Sequence, residues 1–150
     1  MQGFPKLVVW EKAHALSLDV ERACGRFPRR RGAVLANQLR RAASSIPATI
    51  VEGAAKSSDR EFRRFLNMAM SSAHEADYHL PSARDNQLLG EQSYTDLTAR
   101  LLEVRRMLGG LIKSVTASID ANAESSTPPV TKQPKSRDAV DPRDQRELDA

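Results

Sequence analysis

Only one cysteine, Cys24, occurs in 150 residues. No disulfide can close within the chain and no cysteine-based zinc site can form, so a reducing, cytoplasmic setting is expected. Aromatic residues are scarce at 5%, and runs of β-branched residues are almost absent, which disfavours sheets. Seven glycines and eight prolines are not many, and half of the prolines fall in the last 28 residues. No apolar run approaches the roughly 18 residues of a membrane span, and the N-terminus lacks a charged-then-apolar leader. A soluble chain without a membrane partner is the expectation.

Alanine and leucine are abundant, as helices favour. Apolar residues make up 40% of the chain, and the net charge is +4. That charge is uneven: residues 1–122 hold 18 Lys and Arg against 13 Asp and Glu, whereas residues 123–150 hold 5 against 6. The basic character belongs to the part expected to fold. It permits nucleic-acid binding without demanding it.

Four helical segments follow from the pattern. The first runs from about Phe4 to Gly25, with Pro5 suited to a first turn. A break from Phe27 to Gly32 contains Pro28 and three consecutive arginines. The second helix runs from about Ala33 to Lys56. Leu35, Leu39, Ala42, Ala43, Ile46, Ile50 and Gly53 share one stripe at a 3.6-residue period, and Pro47 should kink it without ending it. Ser58-Asp59-Arg60-Glu61 is a capping box opening the third helix. Phe62, Phe65, Leu66, Ala69, Ala73, Ala76 and Leu80 form its face, and Pro81 should loosen its end. After a loop around Gly90, Ser93-Tyr94-Thr95-Asp96 repeats the start signal. Leu97, Leu101, Val104, Leu108, Leu111, Ile112, Val115 and Ile119 then line a fourth helix. Single stripes and short connections predict an all-α fold, an antiparallel up-down four-helix bundle over residues 1–122. Residues 123–150 are rich in Ser, Thr, Pro and mixed charge, and a disordered C-terminal tail is expected there, with at most a transient helix over Val140–Leu148.

The segment Gln38–Gly53, QLRRAASSIPATIVEG, resembles the signature of the four-helix bundle family also called the ribosomal RNA intervening-sequence proteins. Glu61–Leu80, EFRRFLNMAMSSAHEADYHL, resembles its second signature, and Phe4–Leu16 and Arg105–Ile112 fit as well. The resemblance covers about residues 4–119 and not the tail. The chain departs from the family pattern at Thr49, Val51, Ser71 and Ala76. The resemblance implies a bundle that assembles into a ring-like homopentamer. A related branch, the accessory protein of diversity-generating retroelements, binds a reverse transcriptase and nucleic acid.

Three groups of residues are candidates for function. Arg26, Arg29, Arg30 and Arg31 surround the first interhelix loop. Arg40 follows on the second helix, and Arg60, Arg63 and Arg64 open the third. Guanidinium groups neutralise phosphates and pair with them bidentately, so these eight are candidate contacts for RNA or DNA. The plainer reading is a solvated charged surface. Aromatic interleaving is thin, with Tyr78 on the Arg60–Arg64 side and Trp10 elsewhere, so backbone charge and shape would drive any binding.

The second group is a polar strip on the second helix, Gln38, Arg41, Ser45, Thr49 and Glu52, beside the apolar stripe. It is expected to face a neighbouring helix or subunit, and the alternative is simple exposure. Leu102, beside Arg106 and Lys113, is a further possible partner contact.

The third group concerns catalysis. Glu11-x-x-His14 is half of a di-iron bundle motif, but the second half is missing, and His74-Glu75 lacks the zinc-protease spacing. Ser44 and Ser45 have no Gly-rich elbow. Cys24 could have a lowered pKa beside Arg22 and Arg26, or could be a small packed residue. Met68 and Met70 read as packing residues. No glycine loop cradles a phosphate. A non-enzymatic homo-oligomer without a cofactor is expected, binding nucleic acid or a nucleoprotein partner such as a reverse transcriptase. The alternative is a purely structural or protein-interaction oligomer.

Overall fold

The computed structural model describes residues 4–128. Within them four helices follow in order, α1 (Phe4–Cys24), α2 (Ala33–Ala54), α3 (Asp59–Asp85) and α4 (Glu91–Ser125). Each packs on two neighbours: α2 lies against α1 and α3, and α4 closes the ring against α3 and α1. With short connections this is the antiparallel up-down bundle that single-striped helices require.

The stripes meet in one core. Leu16, Leu39, Ile46, Phe62, Leu66, Leu101 and Leu108 are among its fully enclosed side chains. Alanines at 69, 73 and 76 keep α3 close to its neighbours. Gly53 has a specific steric reason. A Cβ there would lie 2.6 Å from the Phe65 Cβ, so glycine lets α2 and α3 approach at this level.

Helix ends depart from the pattern in instructive places. Ser58 caps α3 as expected, its Oγ accepting from the Glu61 N–H at 3.2 Å. Pro81 does not loosen α3, which continues to Asp85. The proline forfeits one backbone bond, while Leu80 and Ala83 on either side of it are buried and hold the last turn down. Beyond it Gln87 takes a positive φ of 59°. The Leu88 N–H reaches the Ala83 carbonyl at 2.9 Å, which is a Schellman closure with glutamine in the left-handed position. The fourth helix starts at Glu91 with Gly90 as its N-cap, so the Ser93 signal is not the start. It also runs to Ser125, so Ala123–Ser125 are helical and not part of a disordered tail. The rest of that expectation, over 129–150, lies outside the described residues.

The topology gives the bundle two ends. The near end gathers the α1–α2 and α3–α4 loops, joined where the Arg31 guanidinium donates to the Asn86 carbonyl at 2.7 Å. The far end gathers the start of α1, the α2–α3 connection and the end of α4, where Ser118 donates to Asp59 at 3.0 Å. With 22 residues in α2, the two ends are about 33 Å apart. No helix among the described residues is long and apolar enough to cross a membrane.

Candidate nucleic-acid interface

The near end is built by a braced loop. Phe27 is buried and anchors it, and the Gly32 N–H closes it on the Pro28 carbonyl at 2.8 Å. A Cβ at Gly32 would meet the Phe27 Cβ at 2.8 Å, so the turn is as tight as glycine allows. Arg26, Arg29 and Arg30 project from this loop into solvent. They form no ion pair or hydrogen bond among the described residues, whereas Arg31 is spent partly on Asn86.

Other arginines at this end are matched to carboxylates. Arg22 and Arg100 both bind Asp19. Arg40 Nε lies 3.0 Å from Glu21 Oε2, close enough for an ion pair but not aligned as a hydrogen bond. Arg84 pairs with Asp85 at 3.0 Å, and that hydrogen bond raises its already high pKa further. Asp96 accepts from Gln92 at 3.0 Å. The three unmatched cations therefore sit together within five residues.

The far-end arginines are used differently. Arg63 donates to the Thr116 hydroxyl at 3.4 Å. Arg64 and Lys56 lie over the Phe65 ring, 5.6 and 5.1 Å from its centre, an attraction between cation and ring face. Arg60 is exposed, flanked by Asp59 and Glu61. The eight candidate arginines are thus not one patch. Arg26, Arg29, Arg30, Arg31 and Arg40 belong to the near end, and Arg60, Arg63 and Arg64 to the far end.

The polar strip also divides. Ser45 lies 2.8 Å from the Ser72 hydroxyl and 3.5 Å from that of Thr49, so Ser45 and buried Thr49 belong to the α2–α3 seam. Gln38, Arg41 and Glu52 face solvent. Leu102 is exposed, as are Val51, Met68 and Tyr78. Met68 therefore does not pack in the core, while Met70 does so in part.

No catalytic constellation gathers around the sequence candidates. His14 is exposed and stacks on Trp10 with ring centres 5.1 Å apart. Buried His79 lies 3.5 Å from Glu75. Among the described residues no group of three His, Cys, Asp or Glu is placed to hold a metal. Burial pushes the Cys24 thiol up to about 11, against a smaller lowering by Arg40, which makes it a packed thiol and not an activated one.

Fold and surface together define a four-helix bundle with three arginines, unpaired among the described residues, on one loop at its near end. The sequence model of the 23S rRNA-intervening sequence protein family matches residues 5–110, and the chain belongs to that family. A solved structure from Bacteroides thetaiotaomicron, described as a protein of unknown function from the S23 ribosomal protein family, is similar to it with a TM-score of 0.68. The two are 23% identical, and the match covers 73% of this chain and 99% of the other. That likeness supports the fold. No curated protein matches the sequence.

Proposed function

We propose that this chain is a non-enzymatic, homo-oligomeric bundle that contacts nucleic acid, free or within a nucleoprotein, through Arg26, Arg29 and Arg30. The observation that carries this reading is their placement: three exposed guanidinium groups on one braced loop, none in an ion pair among the described residues. Cations left unmatched beside others that are all paired are available for phosphate. The test is binding of the full chain to labelled RNA and DNA at 50 and 200 mM salt. Binding that weakens steeply with salt is expected, and no retention even at low salt would sink the reading.

The homo-oligomer rests on a separate observation. Glu52 is exposed beside exposed Val51 on α2, and Arg41 is exposed about 15 Å further back along the same helix, neither charge having a side-chain partner among the described residues. An apolar centre with charged neighbours is how subunit surfaces are commonly built. Family resemblance makes a pentamer the expected state, and native mass spectrometry should show five copies of the 16.6 kDa chain. The same surface favours a second reading, an assembly with no nucleic-acid role. That reading predicts the oligomer without salt-sensitive binding.

A further inference from the structure

We infer that the near end recognises the phosphate backbone of a duplex and not the bases of a single strand. This rests on the nucleic-acid reading above and sharpens it.

The first observation is the absence of a free stacking surface. Proteins that hold single strands without sequence preference place aromatic rings under successive bases. Two aromatic residues occur at the near end, and neither is available. Phe27 is only 6% exposed. Tyr94 is half-buried, and the Arg84 guanidinium lies over its ring, 4.2 Å from the centre. The well-exposed aromatic of the described chain, Tyr78, sits on the outer side of α3, seven residues before that helix ends. It is not part of the arginine loop.

The second observation is shape. Single-strand binders track the backbone along a positively charged groove. Among the described residues the near end shows separate dents, two of which flank the loop. One, of about 180 Å³ between α1 and α4, is lined by Asp19 and Asp96 as well as arginines. The other, of about 330 Å³ under the loop, is lined in part by Cys24, Phe27, Pro28 and Ala36. Neither is a channel along which successive nucleotides could lie. Arg26 borders the first dent and Arg29 the second, on opposite sides of the loop, and Arg30 borders neither.

The third observation is rigidity. The loop carrying the cations is fixed by Phe27, by the Gly32–Pro28 closure and by the Arg31 bridge to Asn86. A fixed cation array suits a fixed phosphate array, because neither side must be ordered on contact. A duplex presents such an array, with about one charge per 1.7 Å of axis. A flexible strand must be ordered first and finds no stacking in return. Recognition of this kind reads backbone and shape, and is indifferent to sequence.

The test uses the full chain, two unrelated 20-base-pair duplexes and an unstructured pyrimidine strand of the same length, in fluorescence anisotropy at low salt. The duplexes should bind about tenfold more tightly than the strand and within about threefold of each other, and the R26A/R29A/R30A variant should lose that preference. Since all three positions are exposed, the variant should melt with the wild type, which circular dichroism checks. Equal or tighter binding of the strand overturns the inference while leaving nucleic-acid contact intact. A duplex preference that survives the triple substitution overturns the assignment to this loop. If neither form binds, the nucleic-acid reading itself fails, and this inference with it.

Discussion

At the near end of the bundle Arg26, Arg29 and Arg30 reach into solvent from a braced loop, unmatched by any carboxylate among the described residues. At the far end Lys56 and Arg64 lie over Phe65, and Arg63 holds Thr116. Both ends are rich in cations, but among the described residues the near end leaves three guanidinium groups unpaired and the far end one, Arg60. The reason is local. The α1–α2 loop is short and tight, with Phe27 turned into the core and Arg26, Arg29 and Arg30 left exposed. The start of α3 is a capped helical turn beside α4, where long cationic stems find a ring and a hydroxyl to lie against. A run of positive charge is thus informative only when its partners are known.

Stability experiments test the comparison first through the glycines that close each end. Gly53→Ala should cost about 2–3 kcal/mol, since the added Cβ meets the Phe65 Cβ in the α2–α3 seam, and urea unfolding measures it. Gly32→Ala should cost less, about 1–2 kcal/mol, because the loop against Phe27 can shift more easily than two packed helices. Equal costs would mean that the near-end loop is as rigid as the helix seam.

Arg31→Ala should release the bridge between the two near-end loops at a cost of about 1 kcal/mol, seen as a lower thermal midpoint. It should also weaken nucleic-acid binding, because the loop would no longer hold its cations in place. Unchanged binding would show that bracing is irrelevant to that surface.

Cys24 gives a pH test at the same end. Burial favours its neutral thiol, raising the pKa from 9.0 to about 11. The stability linked to this group is therefore fully present below pH 9 and is lost as pH rises towards 11. The difference in stability between wild type and Cys24→Ala should change over that window and stay flat between pH 6 and 8. At pH 8 a thiol reagent should label the denatured chain and spare the folded one.

The smallest effect is expected at Gln87. Gln87→Gly should stabilise the end of α3 by about 0.5–1 kcal/mol, because the left-handed backbone costs a side-chain-bearing residue and not glycine. Destabilisation would mean that the glutamine side chain contributes something the backbone does not show.

Much of the fold was legible in the sequence because it depends on periodicity. The apolar positions of α3 and most of those of α4 are the ones that became buried, and Ser58 caps as its motif requires. The ends were less legible. Pro81 was overridden by the buried residues around it, and the start of α4 moved to Gly90, three residues before the Ser93 signal. Of the candidate site, the arginines around the first loop could be picked out by their density. Their separation from Arg60, Arg63 and Arg64 could have been read too. In an up-down bundle the first and third loops share an end, and the second lies opposite. What no sequence pattern could show is which cations are already engaged, since Arg40 with Glu21 and Arg100 with Asp19 pair between different helices.

The asymmetry of the two ends is tested most directly by comparing R26A/R29A/R30A with R60A/R63A/R64A in salt-titrated binding to one duplex. The near-end variant should lose tenfold or more in affinity and reduce the slope of log K against log salt by up to about 3. The far-end variant should stay within about twofold of wild type. Equal losses from both variants, or the larger loss from the far end, would contradict the account.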